Sequence, residues 1–402
     1  MVSVLMCTYN RESYLQRAIE SVLNQTYQEI ELVIVDDGST DGTRQMMSTY
    51  QDERVKFLPL EYNSFYCNAA NRGLELCAGD YVAFMNSDDE WLPEKIEKQV
   101  KFMEKNPEYG ACFTSVYLMN NKGEDITDQC IGWKNLFATN YETQKEWLKH
   151  LFFKSNCLCH PSALVRKSVL EKVGGFNLMY RQLADYDLWI RIVEQTPIHV
   201  LQEPLIRFRW DTGDTTQVSS DTEGNRARTY NEQMIIRRNT IQRLTDEQMT
   251  VFFGDEFKNS TSKTHVEIEF EKGFMLAAHR NEASEWQILA IEQFERALNL
   301  PGAIQTLHDH FGSSVFDIYE WNKTFMYRDP WIIGECARLR QSLEEQQILM
   351  DQQQSVILEQ QSMIEQQQGE IEAARSLIDV YQNSTSWKVT EPLRRITAWF
   401  RK

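Results

Sequence analysis

The sequence predicts an α/β domain built on a mostly parallel sheet, followed by a helical region and a C-terminal coiled coil. Three observations carry that expectation. Short apolar runs and helix-spaced segments alternate four times before Trp91, the order from which parallel sheets with helices on both faces are built. Beyond Asp221 the apolar spacing lengthens into long helical segments. From Cys336 onward one apolar residue recurs every seven positions. With 402 residues and 42% hydrophobic content the chain is long enough for several units and a large core, and we expect units over 1–220, 221–330, 331–382 and 383–402.

The elements follow in order. Val2 to Met6 reads as a strand, Cys7-Thr8-Tyr9-Asn10-Arg11 as a polar turn, and Tyr14 to Leu23 as a helix with Leu15, Ala18, Ile19, Val22 and Leu23 apolar. A second strand, Ile30 to Val35, runs into Asp36-Asp37-Gly38-Ser39-Thr40-Asp41-Gly42-Thr43, where acids and small residues form a turn before another helix. A third, Val55 to Leu60, precedes Asn68-Ala69-Ala70-Asn71-Arg72-Gly73. The fourth, Tyr81 to Met85, ends abruptly in Asn86-Ser87-Asp88-Asp89-Glu90. These polar turns fall on one edge of the sheet, the carboxyl edge, where open α/β sheets bind ligands. Adjacent carboxylates there suit a hard divalent cation that would hold a diphosphate. Capping accounts for the same residues: Ser87, Asp88 or Asp89 suits the start of the helix that Pro93 opens, and Asp36 and Asp37 suit a turn.

A formal charge of −17 argues against nucleic acid as a partner, because phosphate binding needs a concentrated basic surface. Eight scattered cysteines, mostly in apolar surroundings, read as reduced core thiols, and Cys157 and Cys159 stand too close for an ordinary zinc site. No charged-then-apolar leader opens the chain and no run of about eighteen apolar residues occurs, so the expectation is a cytoplasmic protein.

In their order and spacing, Thr8-Tyr9-Asn10-Arg11, Asp36-Asp37-Gly38-Ser39-Thr40-Asp41-Gly42-Thr43, Asn71-Arg72-Gly73 and Asn86-Ser87-Asp88-Asp89 resemble glycosyltransferase family 2 over roughly the first half of the chain. The resemblance implies the GT-A fold, a Rossmann-like mostly parallel sheet, with a nucleotide-sugar donor and inversion at the anomeric centre. It places Thr8, Tyr9, Arg11, Asp36, Asp37, Asn71, Asn86, Ser87 and Asp88 on the nucleotide sugar, with Asp88 and Asp89 also at a magnesium or manganese ion. The chain departs from the family pattern at Cys7, where proline is common, at Ala70, where arginine is frequent, and at Asn86, which replaces the first signature acid.

Further on, His160 to Val165 reads as a strand entered from a loop, and Gly174-Gly175-Phe176 follows a short helix. Leu183 to Arg191 has helical apolar spacing with Asp185 in the first turn, where the helix dipole favours an acid. The stretch resembles the family's Glu-Asp-x-Asp-Leu-Trp motif, with Ala184 for the Glu, which makes Asp185 the catalytic base. Asp187, Trp189 and His160 are expected on the acceptor side, although structural roles suit Asp187 and His160 as well. Family members carry Arg-x-His after the next strand; here Arg209-Trp210-Asp211 puts an acid in that place, so Asp211 is expected to join the metal ligands. Arg209 suits either the strand end or the diphosphate. His308-Asp309-His310 lacks helical metal-ligand spacing and reads as a solvated loop.

In the last segment Cys336, Leu343, Met350, Ile357, Ile364, Ile371 and Ile378 form one seam of a coiled coil, while Gln346, Gln353, Gln360 and Gln367 line the middle of the other. A solitary helix would expose this whole stripe, so self-association is expected. From Asn383 on, Lys388, Arg394, Arg395, Arg401 and Lys402 stand against one acid, Glu391, among Trp387, Leu393, Ile396, Trp399 and Phe400. That is the pattern of a basic amphipathic helix at a membrane surface, with docking onto a partner as its alternative. The expected activity is inverting transfer of a sugar from a UDP- or dTDP-type donor to a growing, lipid-linked surface glycan at the inner face of the membrane. A protein acceptor, or a decayed enzyme serving as a coiled-coil scaffold, are the rival readings.

Overall fold

The computed structural model describes residues 1–210, 220, 222–323 and 330–399. Residues 1–326 form one unit and 327–402 a second. In the first, β1 (Val2–Thr8), α1 (Glu12–Leu23), β2 (Ile30–Asp36), α2 (Thr43–Met47), β3 (Val55–Pro59), α3 (Tyr66–Leu74) and β4 (Tyr81–Asn86) are the alternating elements that the periodicity predicts. The chain continues through β5 (Glu90–Trp91), α4 (Lys95–Lys105), β6 (Ala111–Met119), α5 (Ile131–Phe137), α6 (Gln144–Phe153), β7 (Leu164–Arg166), α7 (Lys167–Val173), α8 (Ala184–Val193) and β8 (Ile198–Arg209).

The strands form one sheet in the order β3-β2-β1-β4-β7-β6-β8-β5. It is mixed: β1, β2, β3 and β4 run parallel, as do β6 and β8, whereas β7 is antiparallel to β4 and β6, and β5 to β8. Alternation along each strand sends side chains to two cores. Val4 and Met6 pack with Leu15, Ile19 and Val22 of α1 on one face, while Leu5 packs with Val33, Val35 and Phe84 on the other. Helices therefore cover both faces. The GT-A expectation holds, with more antiparallel pairing than the repeated strand–helix alternation suggested.

The second core does not stop at the sheet. α9 (Glu223–Arg243), α10 (Asp246–Phe253), α11 (His265–Ala278) and α12 (Ser284–Leu298) extend it, followed by α13 (Ala303–Asp309) and α14 (Val315–Trp321). Phe152 of α6 meets the rings of Phe253 and Trp286 edge-on at 5.3 and 5.7 Å. Arg237 is buried between them, paired with Glu285 at 2.7 Å and set over the Trp286 ring at 4.2 Å. His308 and Asp309 end α13 instead of lying in a loop, and among the described residues the exposed His308 pairs only with its neighbour Asp309, at 2.7 Å.

The second unit contains α15 (Pro330–Asn383) and α16 (Thr385–Trp399). At about 1.5 Å per residue, the 54 residues of α15 extend roughly 80 Å. Its heptad residues Leu343, Met350, Ile357, Ile364, Ile371 and Ile378 are each more than half exposed. α16 runs through Pro392. Arg394 folds back over the Trp387 ring at 3.5 Å and donates to the Trp387 carbonyl at 2.5 Å. Among the described residues no helix is long and apolar enough to cross a membrane.

Candidate active site

Parallel register brings the strand ends together. Thr8 lies beside Asp36 and Cys7 beside Asn86, so the turns after β1, β2 and β4 share one edge. Asp37 donates its amide to the Thr8 carbonyl at 2.8 Å, and its Oδ1 accepts both the amide and the hydroxyl of Ser64 at 2.8 Å. Asn10, in the left-handed region with φ 53°, accepts from the Thr40 amide at 2.8 Å and ties the first turn to the second. Tyr9 stands out at this rim, while the Thr8 hydroxyl is buried without a hydrogen-bond partner.

Two residues expected on the nucleotide sugar are engaged by neighbouring side chains and backbone. Asp36 is fully buried and is held by Arg44 Nε at 2.6 Å and the Ser39 amide at 3.2 Å. The Asn71 side chain exchanges two hydrogen bonds with the backbone of Phe176, at 2.7 and 2.8 Å, and so anchors that loop.

The acidic turn after β4 is built from its neighbours. Asn86 donates its amide to Asp89 Oδ2 at 2.9 Å, and the Arg209 backbone amide donates to Asp89 Oδ1 at 2.6 Å. The Arg209 guanidinium, almost fully buried, donates to the Asp88 and Asn120 carbonyls. That resolves the choice left open by the sequence in favour of the strand end. Ser87 is buried beneath the turn, whereas Asp88 keeps partial exposure and faces Arg11 Nε at 3.5 Å. Burial raises the Asp88 carboxyl despite Arg11 and Arg209 nearby, and burial followed by the Asp88 charge raises Asp89 further. A buried pair of repelling, oxygen-only donors fits a hard divalent cation. Asp211 lies outside the described residues.

Asp185 stands at the start of α8, partly buried. Its Oδ1 accepts the Tyr186 amide at 2.7 Å and its Oδ2 accepts the Asn156 side-chain amide at 3.2 Å. Burial raises its pKa to about 6 against those two hydrogen bonds. A carboxylate near that value is poised to take a proton at neutral pH. The buried Cys159 thiol is raised first by burial and then by the charges of Asp89 and Asp185.

The other residues expected on the acceptor side lie inside. Trp189 is fully buried, its ring edge-on to Phe113 at 4.9 Å. Asp187 is 1% exposed and paired with Arg191 at 2.8 Å. His160 exchanges a hydrogen bond with the Tyr66 hydroxyl at 2.6 Å and packs on Phe84; burial drops its pKa to about 3, so the ring is neutral. Sequence reasoning missed Asn156, Ser64, Tyr66 and Glu232. The Glu232 carboxylate, 3% exposed on α9, accepts the amides of Arg181, Gln182 and Leu183 at 2.8–2.9 Å and thereby fixes the loop leading to Asp185. No local sequence signal announces that contact. A cluster elsewhere, Asp246, His265 and Glu269, brings ligand atoms within 4.8 Å, yet Glu269 is already bound by Lys272 and Gln293 and Asp246 by His265.

The family model described as glycosyl transferase family 2 matches residues 3–174. An uncharacterized glycosyltransferase of Methanocaldococcus jannaschii is 32% identical over 214 residues, spanning 52% of this chain and 70% of that protein. An O-antigen biosynthesis glycosyltransferase of Escherichia coli is 33% identical over 218 residues, 52% of this chain and 75% of its own length. A UDP-Glc:alpha-D-GlcNAc-diphosphoundecaprenol beta-1,3-glucosyltransferase, also of Escherichia coli, is 31% identical over 201 residues, 50% and 73% of the two chains. Among solved structures, S. aureus TarS 1–349 in complex with UDP-GlcNAc superposes with a TM-score of 0.50 at 20% identity, over 72% of this chain and 83% of that one, a likeness of fold.

Proposed function

Because the chain belongs to glycosyltransferase family 2, we propose that it transfers a sugar, with inversion, from a UDP- or dTDP-type donor to a hydroxyl of a growing surface glycan. The observation that carries the reading is Asp185, a carboxylate at the start of α8 with its pKa raised by burial to about 6 and both oxygens held by hydrogen bonds. Two of the relatives are named for O-antigen and lipid-diphosphate-linked glycan synthesis, which supports a lipid-linked acceptor.

In this mechanism the nucleoside lies against Thr8, Tyr9 and Asp37. The Asp185 carboxylate takes the proton of the acceptor hydroxyl while its oxygen attacks the anomeric carbon, and the bond to the diphosphate breaks on the opposite face. Asp88 and Asp89 would hold a magnesium or manganese ion, which supplies charge neutralisation to the departing diphosphate. Arg11 lies close enough to Asp88 to add positive charge there. Asn156 and the Tyr186 amide keep the base oriented, and Glu232 keeps its loop in place. The α15 seam associates copies of the chain, and α16 docks on an anionic membrane surface.

The test is turnover of the purified full chain with a panel of UDP- and dTDP-sugars and lipid-diphosphate acceptors, with the product linkage read by NMR. Transfer with inverted anomeric configuration is expected. Retained configuration, or no donor consumption with any sugar, overturns the proposal.

A further inference from the structure

Phe65 is more than half exposed at the start of α3, directly after the Ser64 that holds Asp37, and its backbone is strained. Its angles, φ 66° and ψ 161°, fall in a region that essentially only glycine occupies. An exposed phenylalanine by itself needs no explanation. An exposed phenylalanine kept where glycine would be at ease does, because strain of this kind survives where the side chain is used.

Its neighbours say where it points. On one side, Ser64 gives its amide and hydroxyl to Asp37, the residue assigned to the donor's base. On the other, Tyr66 is hydrogen-bonded to His160, and its ring meets Phe176 edge-on at 5.2 Å. The Arg181 guanidinium sits 5.1 Å from the Phe65 ring centre, and among the described residues it has no carboxylate partner. Arg181 belongs to the loop that Glu232 holds, next to the exposed Leu178 and Met179. The two loops therefore present an aromatic face, an apolar lip and an unneutralised cation in the stretch that leads into α8 and Asp185. Aromatic faces bind the C–H faces of sugar rings, and a guanidinium binds phosphate or carboxylate.

We infer that Phe65 and Arg181 form an acceptor subsite for a sugar ring that carries an adjacent anionic group. It rests on the transferase reading for its position in the stretch that leads into α8 and Asp185, but its test is a binding measurement that needs no turnover.

The full chain, saturated with UDP and manganese, is mixed with glucose, galactose and N-acetylglucosamine 1-phosphates and with their methyl glycosides, and contact is read by saturation-transfer NMR. At least one sugar phosphate is expected to bind through its ring protons and more tightly than its methyl glycoside. Phe65→Gly relieves the strained backbone, so the variant folds with an undiminished melting temperature. It should weaken that sugar by about tenfold while UDP affinity stays the same. Arg181→Gln should remove the preference for the phosphate over the methyl glycoside. Equal binding by Phe65→Gly and wild type overturns the subsite, as does wild-type binding of no sugar phosphate. A loss confined to UDP affinity assigns Phe65 to the nucleotide and overturns it too. Turnover in the absence of any Phe65 effect leaves the transferase reading standing alone, whereas Phe65-dependent binding without turnover does the reverse.

Discussion

The side-chain amide of Asn86 donates to the Asp89 carboxylate at 2.9 Å, so the neutral residue at the end of β4 is tied to the more deeply buried acid. Asp88, the partly exposed member, faces Arg11 Nε at 3.5 Å. Transfer should therefore stop on chelation and return with magnesium or manganese, and Asp88→Asn should raise the half-activating manganese concentration by about tenfold or more. Full-rate turnover by the chelated protein would return both acids to structural duty.

The second expectation concerns pH. Burial raises Asp185 to about 6, so its proton is held to higher pH than an ordinary aspartate's. The base works only when deprotonated, so kcat/KM should fall as pH drops through about 6 and level off above it. Asp185→Asn should cost on the order of 10² to 10⁴ in rate and erase that limb, with UDP binding kept. Asn156→Ala removes a donor to the charged form and should move the limb upward. An unchanged profile in Asp185→Asn would remove it from the mechanism.

Glu232 offers a stability measurement. Replacing it with alanine leaves three part-buried loop amides without their acceptor, and at about 1 kcal/mol for each lost hydrogen bond, urea unfolding should show a loss of up to roughly 3 kcal/mol. Glu232→Gln keeps an acceptor oxygen and should lose less. Because the loop leads into α8, the alanine variant should also turn over more slowly. A variant as stable as wild type would show that the loop does not depend on this carboxylate.

The exposed seam of α15 predicts association. Light scattering of the full chain should give more than one copy, and a double change, Ile357→Asp with Ile364→Asp, should give one copy that remains active on a soluble acceptor. A single copy before mutation would refute the seam.

For α16, each cation near an anionic leaflet contributes about 1 kcal/mol, so Lys388→Glu with Arg395→Glu should sharply reduce flotation with phosphatidylserine vesicles. Binding as strong as that of the unaltered chain would point the tail towards a protein partner.

The strands and helices up to Trp91 were legible because each faces a core on a regular period. The stretch between Pro93 and Asn156 was not. α4 buries Lys95 and Gln99, with the lysine over the Trp91 ring at 3.9 Å, so polar residues occupy the face that should read as apolar. Motif spacing picked out Asp88, Asp89 and Asp185 as candidates. It does not tell which side chains of those motifs are engaged by the protein's own frame, as Asp36, Asn71 and Asp187 are. Periodicity also says nothing of what a helix packs on, and so the joining of α9–α12 to the sheet's own core went unseen.

The clasp of Glu232 on residues 181–183 sets an order of events during synthesis. The carboxylate lies 49 residues downstream of Leu183. At roughly 5–20 residues per second, it leaves the ribosome some seconds after the loop that it secures. Through that interval the loop into α8 lacks the carboxylate that secures it, so the start of α8 settles only once α9 has been made.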